Sequence, residues 1–149
     1  VQVRTDPVPA AGMPHVADIS GNFYFKPEAG GRLWLSPHDE TATDPCDAAP
    51  EEIDVAIAID RFEHVVDWRV AAVERRWAGL RSFAPDRHPV YGLDSCTPGF
   101  FWFAGQGGFG IQTAPAAAAL AAASILGTAP PDGLDPARYA PDRFVDRLG

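Results

Sequence analysis

Phe23-Tyr24-Phe25-Lys26, Pro27-Glu28-Ala29-Gly30-Gly31 and Arg32-Leu33-Trp34-Leu35-Ser36 form the stretch that decides the fold class. Two short aromatic-rich runs flank a turn whose glycines accept positive φ, which predicts a β-hairpin. Upstream, residues 1–5 read as the end of a strand, with Val1 and Val3 giving way to Arg4-Thr5-Asp6. Residues 7–12 form a proline-rich connection. Downstream, residues 37–50 are polar and carry prolines, so they predict a loop.

A helix is expected next. Pro50 suits a first-turn position, and Glu51, Glu52 and Asp54 complement the positive end of a helix dipole. Ile53, Ala56, Ile57, Phe62 and Val66 then recur at roughly helical spacing. Residues 70–77 predict a strand, Pro85-Asp86-Arg87 a turn and residues 89–92 a short strand. Phe100 to Ala104 is so densely aromatic that a strand buried on both faces is expected. Residues 109–126, through the alanine run, predict a second helix, and the Pro-, Asp- and Arg-rich remainder a surface tail. Strands joined by hairpins and one crossing helix imply an α+β fold: an antiparallel sheet with flanking helices.

Composition narrows the function classes. A chain of 149 residues with net charge −8 and scattered basic residues offers no nucleic-acid surface. The longest apolar run, residues 114–126, is interrupted by Pro115 and Ser124 and falls short of the about 20 residues a membrane span needs. Cys46 and Cys96 stand alone without CxxC spacing, which fits a reducing, cytoplasmic location and leaves a disulfide between them open. His15, His38, His64 and His88 show no metal-ligand spacing and read as structural or surface residues. No serine triad or cysteine–histidine pair is evident. The opening on Val1, directly in a strand pattern, reads as a cut inside a larger protein.

Two further segments carry chemistry. Gly105-Gln106-Gly107-Gly108-Phe109-Gly110 matches the dinucleotide fingerprint GxGxxG, after a strand and before a helix. The fingerprint also needs a second parallel strand with an acidic residue about 20 positions on. Thr128-Ala129-Pro130-Pro131-Asp132 is poorly suited to that strand, so a Rossmann role is rejected. What survives is a glycine loop permitting close backbone approach, ahead of a helix N-terminus with free N–H groups. Trp77-Ala78-Gly79-Leu80-Arg81 supplies an arginine upstream. Taken alone, Arg81 reads as a solvated charge and Tyr24 as a half-buried strand residue.

Taken together, Trp77 to Arg81, the strand 99–104 and the loop 105–113 resemble the C-terminal segments of the D-amino acid oxidase-like FAD family. Within it the likeness is to the D-arginine dehydrogenase and D-amino acid dehydrogenase group, and covers roughly residues 22–127. The resemblance implies that Arg81 holds the substrate carboxylate, that the Tyr24 hydroxyl reaches it too, and that Gly79 lies beside the substrate through its backbone. It implies that Gly107, Gly108, Phe109, Gly110, Ile111 and Gln112 contact FAD, with Gly108 near both flavin and substrate. Glycine oxidase-like members have arginine where this chain has Gly108, which argues against a glycine or sarcosine substrate. The implied reaction moves hydride from the amino acid Cα to flavin N5, giving an imino acid and then keto acid and ammonia.

The expected organisation is a substrate-binding sheet portion (1–104), a flavin-facing loop and helix returning to the FAD domain (105–127) and a tail (128–149). Such enzymes carry a nucleotide-binding fold near their N-terminus, and none is expected within these 149 residues. The chain is therefore expected to be the C-terminal part of the enzyme. The alternative is a non-catalytic fragment or small subunit that needs a separate FAD-binding partner.

Overall fold

The computed structural model describes residues 1–147, so Leu148 and Gly149, the end of the expected tail 128–149, lie outside the described residues. The chain forms two compact units, Val1–Leu80 and a second beginning at Arg81. The boundary falls inside the 1–104 portion expected from sequence. Both units combine antiparallel strands with one α-helix, the α+β architecture that the hairpin pattern implies.

In the first unit, β1 (Gln2–Asp6), β2 (Val16–Ala17), β3 (Tyr24–Glu28), β4 (Arg32–Ser36) and β5 (Arg69–Arg75) form one sheet in the order β2-β3-β4-β1-β5. Every pairing is antiparallel. The β3–β4 hairpin turns at Gly30 and Gly31, whose φ values of 75° and 69° lie where side chains are disfavoured. Strand alternation sends Phe25, Leu33, Leu35 and Val3 to one face, where α1 (Glu52–Val65) covers them with Ala58 and Phe62. Val3, Leu33 and Phe62 are fully buried. Arg4 and Arg32 sit directly opposite each other, a repulsive pairing that Glu74 offsets by accepting a hydrogen bond from both.

The helix α1 forms as expected, but its inward face differs. Ala58 and Phe62 are buried, with Ile59 and Val66 packed against the same core, while Ile53 is 61 % exposed and Ala56 faces water. Residues 53–59 are apolar at all but one position, so spacing alone could not choose the stripe. Pro50 precedes the N-cap, Glu51, rather than occupying the first turn. The strand expected over 70–77 ends at Arg75, leaving Trp77 outside it.

In the second unit, β6 (Val90–Leu93) and β7 (Phe101–Ala104) make an antiparallel ribbon, and α2 (Gly110–Leu126) packs on β6. Tyr91, Ala117 and Leu120 form the core, closed by Leu134 and Tyr139 from the following segment. That segment contains two 3-10 helices, Pro136–Arg138 and Pro141–Arg147. It is tied to β6 where Tyr91 N–H donates to the Tyr139 carbonyl at 2.9 Å.

The expectation that residues 100–104 are buried on both faces is overturned. Phe100, Trp102 and Phe103 are 47 %, 39 % and 47 % exposed. The ribbon has two strands, and no second layer covers the remaining ring surface among the described residues. The rings partly shield one another: Phe103 stacks on Tyr91 at 4.6 Å and Phe100 meets Trp102 edge-on at 5.0 Å.

Candidate functional site

The second unit brings Arg81 and the glycine loop together. Gly107 N–H donates to the Ser82 carbonyl at 3.1 Å, which docks the segment after Arg81 along the loop. The Phe83 ring lies against Gly107: a Cβ at that position would stand 2.5 Å from Phe83 Cε1. Arg87 also lies over the Phe83 ring, its Cζ 4.4 Å from the ring centroid. Gly107 also has a φ of 55°, so both its space and its backbone require glycine.

This docking delivers the Arg81 guanidinium to Gly108. A Cβ on Gly108 would lie 2.9 Å from Arg81 Nη1 and 3.3 Å from Cζ. Arg81 is exposed and makes no ion pair among the described residues. A planar fork of N–H donors in that state is suited to a carboxylate or phosphate brought by a ligand.

The helix α2 starts immediately beyond. Phe109 is its N-cap, with no side-chain capping bond and no acidic residue in the first turn. An uncapped start leaves backbone N–H groups and partial positive charge available. Phe109 is 61 % and Ile111 96 % exposed, and Gln112 also faces outward. The strand before the loop, β7, pairs antiparallel with β6, and α2 leads into the 3-10 segments. The GxGxxG match thus follows a strand of an antiparallel ribbon and opens α2.

Within the same unit, Asp86 and Arg143 tie the turn at residues 86–88 to the segment after α2. Arg143 Nε donates to Asp86 Oδ2 at 2.8 Å and Nη2 to Oδ1 at 3.1 Å. The remaining donors reach the carbonyls of His88, Tyr139 and Ala140 at 2.9, 2.8 and 3.0 Å. The guanidinium beside it, helped by the His88 N–H, holds the Asp86 carboxyl well below the usual carboxylate range. Burial pushes the Tyr91 phenol up, with the Thr113 hydroxyl acting in the opposite sense.

Tyr24 and Gly79 belong to the first unit. Tyr24 is half-buried on β3, with His15 and His38 edge-on at ring-centroid distances of 5.1 and 5.0 Å. Beside it, Lys26 Nζ lies 4.0 Å from the Trp34 ring, which meets Trp77 at 5.3 Å. Gly79 is exposed, and a Cβ there would meet open space. His15 and His38 read as ordinary surface residues in sequence. Only their register across the sheet could have marked them, since Ala17 and Ser36 flank Tyr24 on β2 and β4. The open, charged concavity lined by Gln2, Glu28, Arg32, Glu74 and Arg75 includes no sequence-predicted site residue.

The family model described as DAO, FAD dependent oxidoreductase, matches residues 1–124, spanning the first unit and the second through most of α2. The chain belongs to this family of FAD-dependent oxidoreductases, whose cofactor is FAD. No helix among the described residues is long and apolar enough to cross a membrane.

Proposed function

We propose that this chain carries the substrate-binding and flavin-facing part of an enzyme that oxidises the C–N bond of D-amino acids, of the D-arginine dehydrogenase and D-amino acid dehydrogenase kind. The observation that carries the reading is the exposed Arg81 guanidinium, without an ion pair among the described residues, set against Gly108. Arg81 binds the substrate carboxylate through paired charge-assisted hydrogen bonds, a task lysine performs poorly. The Tyr24 hydroxyl adds a donor, and Gly79 offers backbone beside the substrate. Gly108, having no side chain, leaves room for the Arg81 guanidinium and so lies beside the bound substrate.

Gly107, Gly108, Phe109, Gly110, Ile111 and Gln112 fit the edge of a flavin. Positive φ at Gly107 and the bare backbone at Gly108 allow close approach, and the uncapped α2 start supplies N–H groups. FAD, when bound, supplies the hydride acceptor for the substrate Cα hydrogen. The residues of this chain orient the amino acid and hold its charge. The imino acid product hydrolyses in water to keto acid and ammonia. The nucleotide-binding part of the FAD site comes from further polypeptide or from a separate subunit, and the exposed rings of Phe100, Trp102 and Phe103 support such a cover. Free, exposed Cys46 and Cys96 accord with a cytoplasmic enzyme.

Arg81→Ala in the FAD-loaded protein tests the reading. Charge-assisted hydrogen bonds are worth about 1.5–3 kcal/mol each, so losing the pair lowers kcat/KM for every α-amino acid by about 10²- to 10³-fold. A loss under about tenfold, equal for amines lacking a carboxylate, means Arg81 is not the clamp.

A further inference from the structure

Strand register sets two imidazoles against one tyrosine. On one side of Tyr24, β2 pairs Ala17 with it, and His15 stands just before that strand. On the other side, β4 pairs Ser36 with Tyr24, and His38 follows two residues on. The two imidazoles meet the Tyr24 ring at nearly equal angles, 67° for His15 and 66° for His38. Edge-on contacts of this kind are favourable and restrict ring orientation.

His38 is held there against its backbone preference. Its φ is 52°, a region glycine or asparagine occupies more readily. Its Nδ1 lies 2.6 Å from the Gly21 carbonyl oxygen. A carbonyl only accepts, so Nδ1 is the donor of this hydrogen bond. The His38 N–H donates to Ser36 Oγ at 3.3 Å. Arg61 of α1 donates to the Pro37 carbonyl at 2.7 Å and also to the Asn22 carbonyl, binding both ends of this arrangement to the helix. A turn alone would be served at lower strain by glycine. What the imidazole adds is its hydrogen bond to Gly21 and its ring against Tyr24.

We propose that His38, with His15 opposite it, is a positioning residue that fixes the Tyr24 ring and so directs its hydroxyl at the substrate carboxylate. This rests on the reading of Tyr24 as a carboxylate donor. His38→Asn separates the ring from the turn, because asparagine tolerates the positive φ and its amide can still donate to Gly21.

The test compares the FAD-loaded protein with its Tyr24→Phe, His38→Asn and doubly substituted forms, using D-alanine as substrate. Each single substitution is expected to raise KM about three- to tenfold with kcat within twofold, and the double to be no worse than Tyr24→Phe alone. If Tyr24→Phe raises KM and His38→Asn does not, the inference is overturned while the Tyr24 reading stands. Additive effects also overturn it, because His38 then acts independently of Tyr24. If Tyr24→Phe changes nothing, the carboxylate-donor reading falls and the inference with it. His38→Gly, which keeps the turn unstrained, repeats the comparison should the asparagine form fail to fold.

Discussion

The Arg81 guanidinium lies where the first carbon of any side chain on residue 108 would have to go, 2.9 Å from Nη1. The absence of a side chain at Gly108 and the position of Arg81 are thus one feature. Gly108 has no positive φ, so alanine is tolerated by the backbone there. The Arg81 tip is flexible and can yield. Gly108→Ala is therefore expected to leave the melting temperature nearly unchanged while displacing the guanidinium. On the proposed reading kcat/KM for D-amino acids falls about tenfold or more, because geometry at a bidentate site is exacting. Unchanged kinetics would show that the position of the Arg81 tip does not matter to catalysis.

Gly108→Arg tests the side-chain pocket. The new chain displaces the Arg81 guanidinium as alanine does and adds length and a second cation, so its effect is read against Gly108→Ala. Large D-amino acids should be lost first, with activity on D-alanine partly retained and flavin still bound, since Gly107 and the α2 start are untouched. Steady-state kinetics with D-alanine and D-arginine decide it. An equal fall for both relative to Gly108→Ala, with flavin retained, removes Gly108 from any role in shaping that pocket.

Gly107→Ala should behave differently from both. Its Cβ would meet the Phe83 ring at 2.5 Å, and its φ of 55° disfavours any side chain. A left-handed non-glycine residue costs roughly 1–2 kcal/mol before the clash is counted. The substitution is expected to lower the melting temperature measurably and, by loosening the bond from Gly107 to Ser82, to reduce activity through the loop. A Phe83→Leu change in the same chain should recover part of the stability by relieving the clash. No recovery would place the strain elsewhere.

Much of this architecture was legible because it is local. The β3–β4 hairpin follows from turn glycines between aromatic runs, and α2 from a glycine loop followed by alanines. What escaped depends on partners distant in sequence. The two-residue strand β2 exists through its pairing with Phe25 and Tyr24. The inward face of α1 was ambiguous within an almost wholly apolar stretch, until the sheet selected Ala58 and Phe62. The rings of Phe100 to Phe103 read as core because composition reports hydrophobicity and not the number of layers available to cover it. At the candidate site, Arg81 and Gly108 were both readable, and their contact was not. His15 and His38 look unremarkable until strand register carries them to Tyr24.

Asp86 and Arg143 give the second unit a pH signature. The Asp86 carboxyl is depressed, first by the Arg143 hydrogen bonds and further by the His88 N–H. A depressed folded-state value means the ionised form is favoured by folding. Its contribution is fully present above the unfolded value of about 3.9 and is lost as pH falls through the lower folded value. Other carboxylates also titrate there, Asp94 and Glu74 among them, so total stability does not isolate the pair. The difference between the protein and its Asp86→Asn form does. That difference should be constant from about pH 7 to pH 5 and shrink as pH drops below about 4. Urea unfolding of both forms at pH 7, 5, 4 and 3 measures it. A difference as large at pH 3 as at pH 7 would mean that the charge on Asp86 contributes nothing, and that the latch between the Asp86 turn and the segment after α2 depends on the shape of the Arg143 hydrogen bonds alone.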